Sequence, residues 1–296
     1  MIKLSNGHEF EYIAASGTLG YNGKGWPHEW SLRWMGLIDP SLFTIVAKTV
    51  TFEPRKGNFK LWCPWRCIRL LPGGVINAVG LTNKGVRWWC EEVGVSVDSE
   101  KISLAGSILS NNICELAEMA QMLNDFDLVA VELNWSCPNN GTDLASNTAN
   151  IIAGCEKVKE VSRFSLIAKL SVVHNIREIV PRIKGVVEAI SINSVPWNVI
   201  FPNPDNDPEK ESPLAHLGGG GVSGKIAQGH TWQLVKELAD ITSIPVIGPS
   251  IWEYGDIEAV RKKGAQAVSF GSVFLQHPCR PTRFVKRDMK ENRNRN

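Results

Sequence analysis

The chain has 296 residues, 43% of them hydrophobic, with a formal net charge of +2 from 32 basic against 30 acidic side chains. That length suits one large α/β domain or two small ones. The balanced charge gives no reason to expect nucleic acid or an anionic membrane as a partner.

No run approaches the roughly 18 apolar residues of a membrane span, and MIKLSNGHEFEY has no signal-peptide core, so a cytoplasmic protein is expected. Of seven cysteines only Cys63 and Cys67, in CPWRC, sit close together. Without a second pair at zinc spacing, no metal site and reduced thiols are expected.

Short apolar runs recur along the chain. They are YIAASG (12–17), FTIVAKTVT (43–51), ISLAGS (102–107), LVAVELNWS (128–136), LIAKLS (166–171), VEAISINS (187–194), IPVIG (244–248) and AVSFGS (267–272). Helical spacing of apolar residues marks 111–125, TANIIAGCEKVKEV, TWQLVKELADI and DIEAVRKKG, the last ending at Gly264, a natural residue to follow a helix C-terminus.

Apolar runs alternating with helices predict parallel βαβ units in a sheet covered on both faces. Eight such units fit the roughly 250 residues of a (β/α)8 barrel. The alternative, an open doubly wound sheet, advertises G-x-G-x-x-G after its first strand. ASGTLGYNG does not match it. The expectation is therefore an α/β fold, a (β/α)8 TIM barrel forming one domain over 1–296. Long insertions follow strands two and six, and a flexible basic tail occupies 281–296. Connections this long, 51–102 and 194–244, are usually lids or binding loops at the strand C-termini, where barrels build active sites.

The strand ends carry an unusual set of residues. Lys48 and Lys169 each interrupt an apolar strand, and a buried ammonium is costly unless paired. Each could snorkel outward or pair with a carboxylate; two at one level of the barrel favour an anionic ligand between them. Asn77, Asn134, Asn139 and Asn193 could cap helices. Together they suit a flat polar ligand read by donor–acceptor pairs. GGGGVSGK (218–225) and FGS (270–272) serve turns or, at helix N-termini, a phosphate. Cys137 follows strand four in NWSCPNN, where Asn134-Trp135-Ser136 also matches a glycosylation pattern that means little without a secretion signal. The tryptophans between Trp26 and Trp89 are expected to pack in the core or under loops.

ASGTLG, AKTVTFEPRKGN, INAVGLTNKGV, ELNWSCPN, IAKLS, ISINS, GGVSG and AVSFGS, in this order from about 14 to 272, resemble the ordered motifs of class 1 dihydroorotate dehydrogenases. The resemblance implies an FMN-containing (β/α)8 barrel that oxidises dihydroorotate to orotate in pyrimidine biosynthesis. It implies that Cys137 is the general base for the C5 proton, with the C6 hydride passing to flavin N5, and that Lys169 stabilises the reduced ring. Substrate would be held by Lys48, by Asn77, Ala78, Val79, Gly80 and Leu81, and by Asn134, Asn139, Asn193 and Ser194. FMN would be lined by Ser16, Gly17, Lys48, Thr49, Ser103, Asn134, Lys169, Ile192 and Gly224. Gly248, Pro249, Ser250, Gly271 and Ser272 would complete that lining.

The chain departs from the pattern in places. Gly248-Pro249-Ser250 replaces paired glycines after strand seven, and Ser103 stands in place of a flavin-contacting asparagine. The segments 140–150 and 197–217 match no subclass. The electron acceptor stays open between fumarate and NAD reached through a separate FAD and iron–sulfur subunit, and a homodimer is implied. Two other readings remain: a uracil- or thymine-reducing dihydropyrimidine dehydrogenase, and a flavin-binding electron-transfer subunit without chemistry of its own.

Overall fold

The computed structural model describes residues 1–135, 148–205 and 207–294. Eight parallel strands run β1 (Tyr12–Ala14), β2 (Thr44–Val46), β3 (Ser103–Leu109), β4 (Ala130–Asn134), β5 (Leu166–Leu170), β6 (Ala189–Ile192), β7 (Ile247–Gly248) and β8 (Ala267–Phe270). Each pairs with the next, and β8 returns to β1 through Val268↔Tyr12. The remaining seam, β6 to β7, is closed by a parallel bridge between Ile190 and Val246. The result is the expected (β/α)8 barrel, and each of the eight apolar runs supplies one strand.

Strict alternation decides which way each side chain points. Outward residues such as Ile45, Leu104, Val131, Leu133, Ala168 and Phe270 join the main core beneath the surrounding helices. Inward residues, one from each strand, form a separate apolar cluster of Ile13, Val46, Ala105, Ala130, Ile167, Ala189, Ile247 and Ala267. Ile2, Leu4 and Phe10, from the hairpin Ile2–Lys3 with Glu9–Phe10, complete that cluster and floor the barrel at its amino end.

The helices follow the predicted apolar spacing. Ile113–Leu123 opens on Asn112, whose side chain accepts from the backbone N–H of Cys114 and Glu115. Asp256–Lys262 ends as expected: Gly264 has φ +107°, its N–H donates to Arg261 O at 2.9 Å, and Ala265 N–H reaches Val260 O at 3.3 Å. This is the paired closing pattern that glycine permits after a helix.

Three expectations are corrected. Run 43–51 is not continuous: β2 stops at Val46, and Val50–Thr51 pairs separately with β3. Lys48 therefore sits in the break rather than inside a strand. The basic tail is a helix, Arg280–Arg293, that buries Val285 and Thr282. Its Asp288 accepts from Tyr12 Oη at 2.6 Å and Arg261 Nη1 at 2.8 Å. These partners lie far away in sequence and anchor what charge alone made look solvated. Finally, Trp89 is buried, but Trp30, Trp34, Trp62 and Trp65 are exposed, Trp34 by 90%.

The two long connections meet each other. Ile68–Leu71 and Gly74–Asn77 come from the first, Val195–Pro196 and Gly221–Gly224 from the second. They form one four-stranded antiparallel sheet in which Gly221 pairs with both Asn77 and Pro196. Two segments more than a hundred residues apart are thus tied together beside the end of β6.

Candidate active site

On five of the eight strands, moving two residues toward the carboxyl end from the apolar position of the barrel interior changes the chemistry. Ala105 gives way to Ser107, Ala130 to Glu132, Ile167 to Lys169, Ala189 to Ser191 and Ala267 to Ser269. Glu132, Lys169, Ser191 and Ser269 line one cavity together with Ile192 and the apolar layer below. Two residues further on, the same faces present Asn134, Asn193 and Gly271.

These polar side chains form one connected network. Lys169 Nζ donates to Glu132 Oε1 at 3.3 Å, and Ser107 Oγ donates to the same oxygen at 3.2 Å. Ser191 Oγ donates to Glu132 Oε2 at 3.0 Å. Ser107 Oγ touches Thr49 Oγ1 at 2.8 Å, and Thr49 Oγ1 accepts from Asn134 Nδ2 at 3.0 Å and touches Ser16 Oγ at 2.9 Å. Ser16 Oγ also donates to Ala47 O at 2.9 Å. The break after β2 thus places Thr49 at the centre of the mouth, between β1, β3 and β4. Sequence reasoning had selected Ser16, Thr49, Asn134 and Lys169. It missed Ser107, Ser191 and Glu132, although Glu132 stands two residues before Asn134 and so faces the same way.

Lys169 has the buried carboxylate partner that a structural reading of an in-strand lysine requires. Lys48, two residues beyond Val46, has its ammonium 6.0 Å from the ring of Tyr21. Burial raises the Tyr21 phenol to about 12, so the ring stays neutral. Trp26 Nε1 donates to Gly17 O at 3.0 Å and fixes the turn after β1.

Residues 77–81 are held by side chains to which the sequence assigned no role. The backbone N–H of Asn58 donates to Val79 O at 2.9 Å, and its Nδ2 donates to Ala78 O at 2.8 Å. Asn83 is buried; its Nδ2 donates to Leu81 O at 2.6 Å and its Oδ1 accepts from Gly85 N–H at 2.8 Å. Gly80 (φ +68°) and Leu81 (φ +57°) both take left-handed conformations, which for leucine is a strained state that surrounding contacts must enforce. Gly57, in RKGN, has no space for a side chain: an added Cβ would lie 2.7 Å from Val79 O. EPRKGN is therefore the clamp on this loop. The antiparallel sheet places Asn77 across Gly221 from Pro196, two residues after Ser194, while Asn193 N–H donates to Leu170 O at 2.9 Å.

The expected phosphate side is mixed. Gly248 is required by packing, since an added Cβ would meet Val260 at 2.6 Å and Ala265 at 2.8 Å. Gly224 (φ +96°) has Gly73 O and Gly74 Cα against it, so strand pairing alone accounts for that glycine. Ser250, where the resemblance expects glycine, keeps a glycine-like backbone at φ +66°. Its carbonyl accepts from Gln228 Nε2 at 2.9 Å and its hydroxyl contacts Thr231 Oγ1 at 3.2 Å. Pro249 O accepts from Trp232 Nε1 at 3.0 Å. A Cβ added at Gly271 would meet only Ala15, at 3.6 Å, and Ser272 opens the short helix Val273–Gln276.

Ser103 does not belong to this group. It begins β3 beside Thr44, whose hydroxyl contacts His8 of the amino-end floor at 2.8 Å. The β3 side chain at the mouth is Ser107. Cys137 and Asn139 lie outside the described residues. The six described cysteines are free, and burial pushes the thiols of Cys155 and Cys90 up to about 12 and about 11, so both are inert at neutral pH. Among the described residues no group of three or more His, Cys, Asp or Glu side chains is placed to hold a metal, and no helix is long and apolar enough to cross a membrane.

Comparison with known proteins identifies the family. The family model described as dihydroorotate dehydrogenase matches residues 32–288. A protein of Desulforudis audaxviator is 32% identical over 90% of this chain and 83% of its own length. One from Phocaeicola vulgatus is 29% identical over 90% of this chain and 84% of its own. Both are named dihydroorotate dehydrogenase B (NAD(+)), catalytic subunit. With one family model spanning most of the barrel and such relatives aligned along it, the chain belongs to the dihydroorotate dehydrogenase family of oxidoreductases, in its class 1, and that membership implies a flavin cofactor.

Proposed function

We propose that this protein oxidises (S)-dihydroorotate to orotate with FMN as its flavin, in de novo pyrimidine biosynthesis in the cytoplasm. The observation that carries this reading is the polar mouth above an apolar barrel floor, with Lys169 held against Glu132 and Asn134 against Thr49. An ammonium and several amide and hydroxyl groups converging on a space above a dry floor suit a flat, anionic, amide-rich ring system.

The residues present fit a flavin mononucleotide. Ser16, Gly17, Lys48, Thr49, Asn134, Lys169 and Ile192 would line its ring system. Gly224, Gly248, Pro249, Ser250, Gly271 and Ser272 would surround its phosphate. The glycine-like backbone of Ser250 supports this, because it keeps the loop shape after β7 despite the changed residue. Bound FMN would supply the acceptor for the C6 hydride of the substrate.

The chain's own residues do the rest. Lys48, Asn77, Ala78, Val79, Gly80, Leu81, Asn134, Asn139, Asn193 and Ser194 hold the pyrimidine and its carboxylate. Asn58 and Asn83 keep the 77–81 backbone in the strained form that presents it. Cys137 takes the C5 proton as a thiolate, and loss of that proton with the C6 hydride forms the ring double bond. A thiol near its ordinary value of about 8.5 is mostly protonated at neutral pH, so the base needs a cation to favour its charged form, the part this reading gives to Lys48. Lys169 places positive charge where the reduced ring system becomes negative, in a site shielded from water.

For the acceptor we favour NAD reached through a separate FAD and iron–sulfur subunit. The support is that the relatives described above are catalytic subunits of NAD(+) enzymes. Substitution Cys137→Ser should lower turnover of dihydroorotate at neutral pH by about 100-fold or more, the usual consequence of weakening a general base. Near-unchanged turnover would contradict the assignment. Turnover of dihydrouracil with none of dihydroorotate would favour the dihydropyrimidine reading instead.

A further inference from the structure

Glu132 is a buried carboxylate, 2% exposed, inside a strand that otherwise reads as core. Its two oxygens are fully engaged: Oε1 by Lys169 Nζ and Ser107 Oγ, Oε2 by Ser191 Oγ. These partners come from β5, β3 and β6, so one side chain ties three neighbouring strands to its own. Stability gives little reason to keep it, because replacing a buried ion pair by apolar residues of similar volume is often neutral or favourable.

The arrangement does something else for Lys169. A lysine ammonium is a compact charge on a flexible stem, and a barrel interior without a partner would let it sweep. Glu132 holds it in one place. The adjacent carboxylate also cancels part of the field that Lys169 projects toward the mouth, an effect that is strong where water is excluded.

We infer that Glu132 is a positioning residue for Lys169, fixing the ammonium at the mouth where a flavin would bind and limiting how strongly it would favour the reduced, anionic flavin. The inference rests on the functional reading above, which places Lys169 against the flavin. Charge near the ring is one of the means by which a protein tunes a flavin. Ser191 and Ser107 take part by holding the carboxylate in one orientation.

The test is the midpoint potential of the flavin in the loaded protein, measured by dye-linked reductive titration for wild type and Glu132→Gln. The glutamine amide keeps the size of the side chain and an acceptor for the serine hydroxyls but removes the negative charge. Binding of reduced over oxidised flavin should be favoured about tenfold more than in wild type, equivalent to a rise of about 30 mV for a two-electron couple. The effect should shrink below about twofold in a Lys169→Met background, because a buried carboxylate without its ammonium takes up a proton and becomes as neutral as the amide. A purely structural glutamate would leave the potential unmoved. Should Glu132→Gln fail to fold or hold flavin, Ser191→Ala, which leaves the carboxylate charged but removes a hydroxyl that partly offsets it, should move the potential the other way, by a fall equivalent to about twofold to threefold. A flavin-loaded wild type whose potential is unchanged by either variant overturns this inference alone. A wild-type chain that takes up no flavin overturns the functional reading, and this inference with it.

Discussion

The lower and upper halves of the barrel interior are built on the same strands and the same inward faces, two residues apart, yet they do opposite work. Below, Ile13, Val46, Ala105, Ala130, Ile167, Ala189, Ile247 and Ala267 make an apolar plug continuous with the amino-terminal hairpin. Above, Thr49, Ser107, Glu132, Lys169 and Ser191 make a charged and hydroxyl-bearing shelf joined by hydrogen bonds of 2.8 to 3.3 Å. The plug gains from dry burial. The shelf gives some of that up, and what it obtains is a fixed charge in a place shielded from water. The contrast says that a single step of the strand period separates positions that hold the fold from positions to which the proposed function gives the chemistry.

The comparison breaks most sharply at Ile167 and Lys169, which share one face of β5. Ile167→Ala should cost roughly 2–5 kcal/mol, typical of a truncated buried aliphatic side chain. Turnover per folded molecule should stay within about twofold, since no polar group of the shelf is removed. The pair Glu132→Leu with Lys169→Met should behave the other way. Urea unfolding should show equal or greater stability, while turnover falls by about 100-fold or more with the loss of transition-state charge stabilisation. If the double variant unfolds easily and Ile167→Ala abolishes turnover in the folded state, the division into plug and shelf is wrong.

A smaller effect separates the two serines of β3. Ser107→Ala should weaken flavin retention by about threefold to tenfold, the worth of a hydrogen bond next to a charged partner. Ser103→Ala, at the floor, should change it by less than about twofold. Equilibrium dialysis against FMN distinguishes them. The smallest effect is expected at Ser250, whose left-handed backbone costs a side-chain-bearing residue about 1–2 kcal/mol. Ser250→Gly relieves that strain but forfeits the hydroxyl contact with Thr231, for a net gain of about 1 kcal/mol in urea unfolding. A loss would mean that the hydroxyl contact outweighs the backbone strain.

Much of this was legible before any coordinates. All eight barrel strands show as apolar runs, because outward packing under helices and inward packing in the plug both demand hydrophobic residues. Lysine at 169 and asparagine at 134 stand out against that background, and so does the order of the family motifs. Glu132 was harder to see. It becomes conspicuous only when Ala130-Glu132-Asn134 is read as one face beside Ile167-Lys169, a neighbour relation set by the register Lys169↔Asn134.

Long-range partners account for the other gaps. The carboxyl-terminal helix depends on Asp288 meeting Tyr12 and Arg261. The loop clamp depends on Asn58 and Asn83 reaching 77–81. The joining of the two connections into one sheet depends on strands of two to four residues, too short to show a period. Four exposed tryptophans lie where packing in the core or under loops was expected, because composition does not say which side of a loop faces water.

The central claim is that this barrel holds a flavin whose electrons come from dihydroorotate. The visible absorbance spectrum of the purified protein, recorded without oxygen before and after dihydroorotate is added, tests it directly. The account predicts a yellow protein that bleaches with dihydroorotate and not with dihydrouracil. A colourless protein given FMN in excess, or a yellow one that dihydroorotate leaves unbleached, would contradict it.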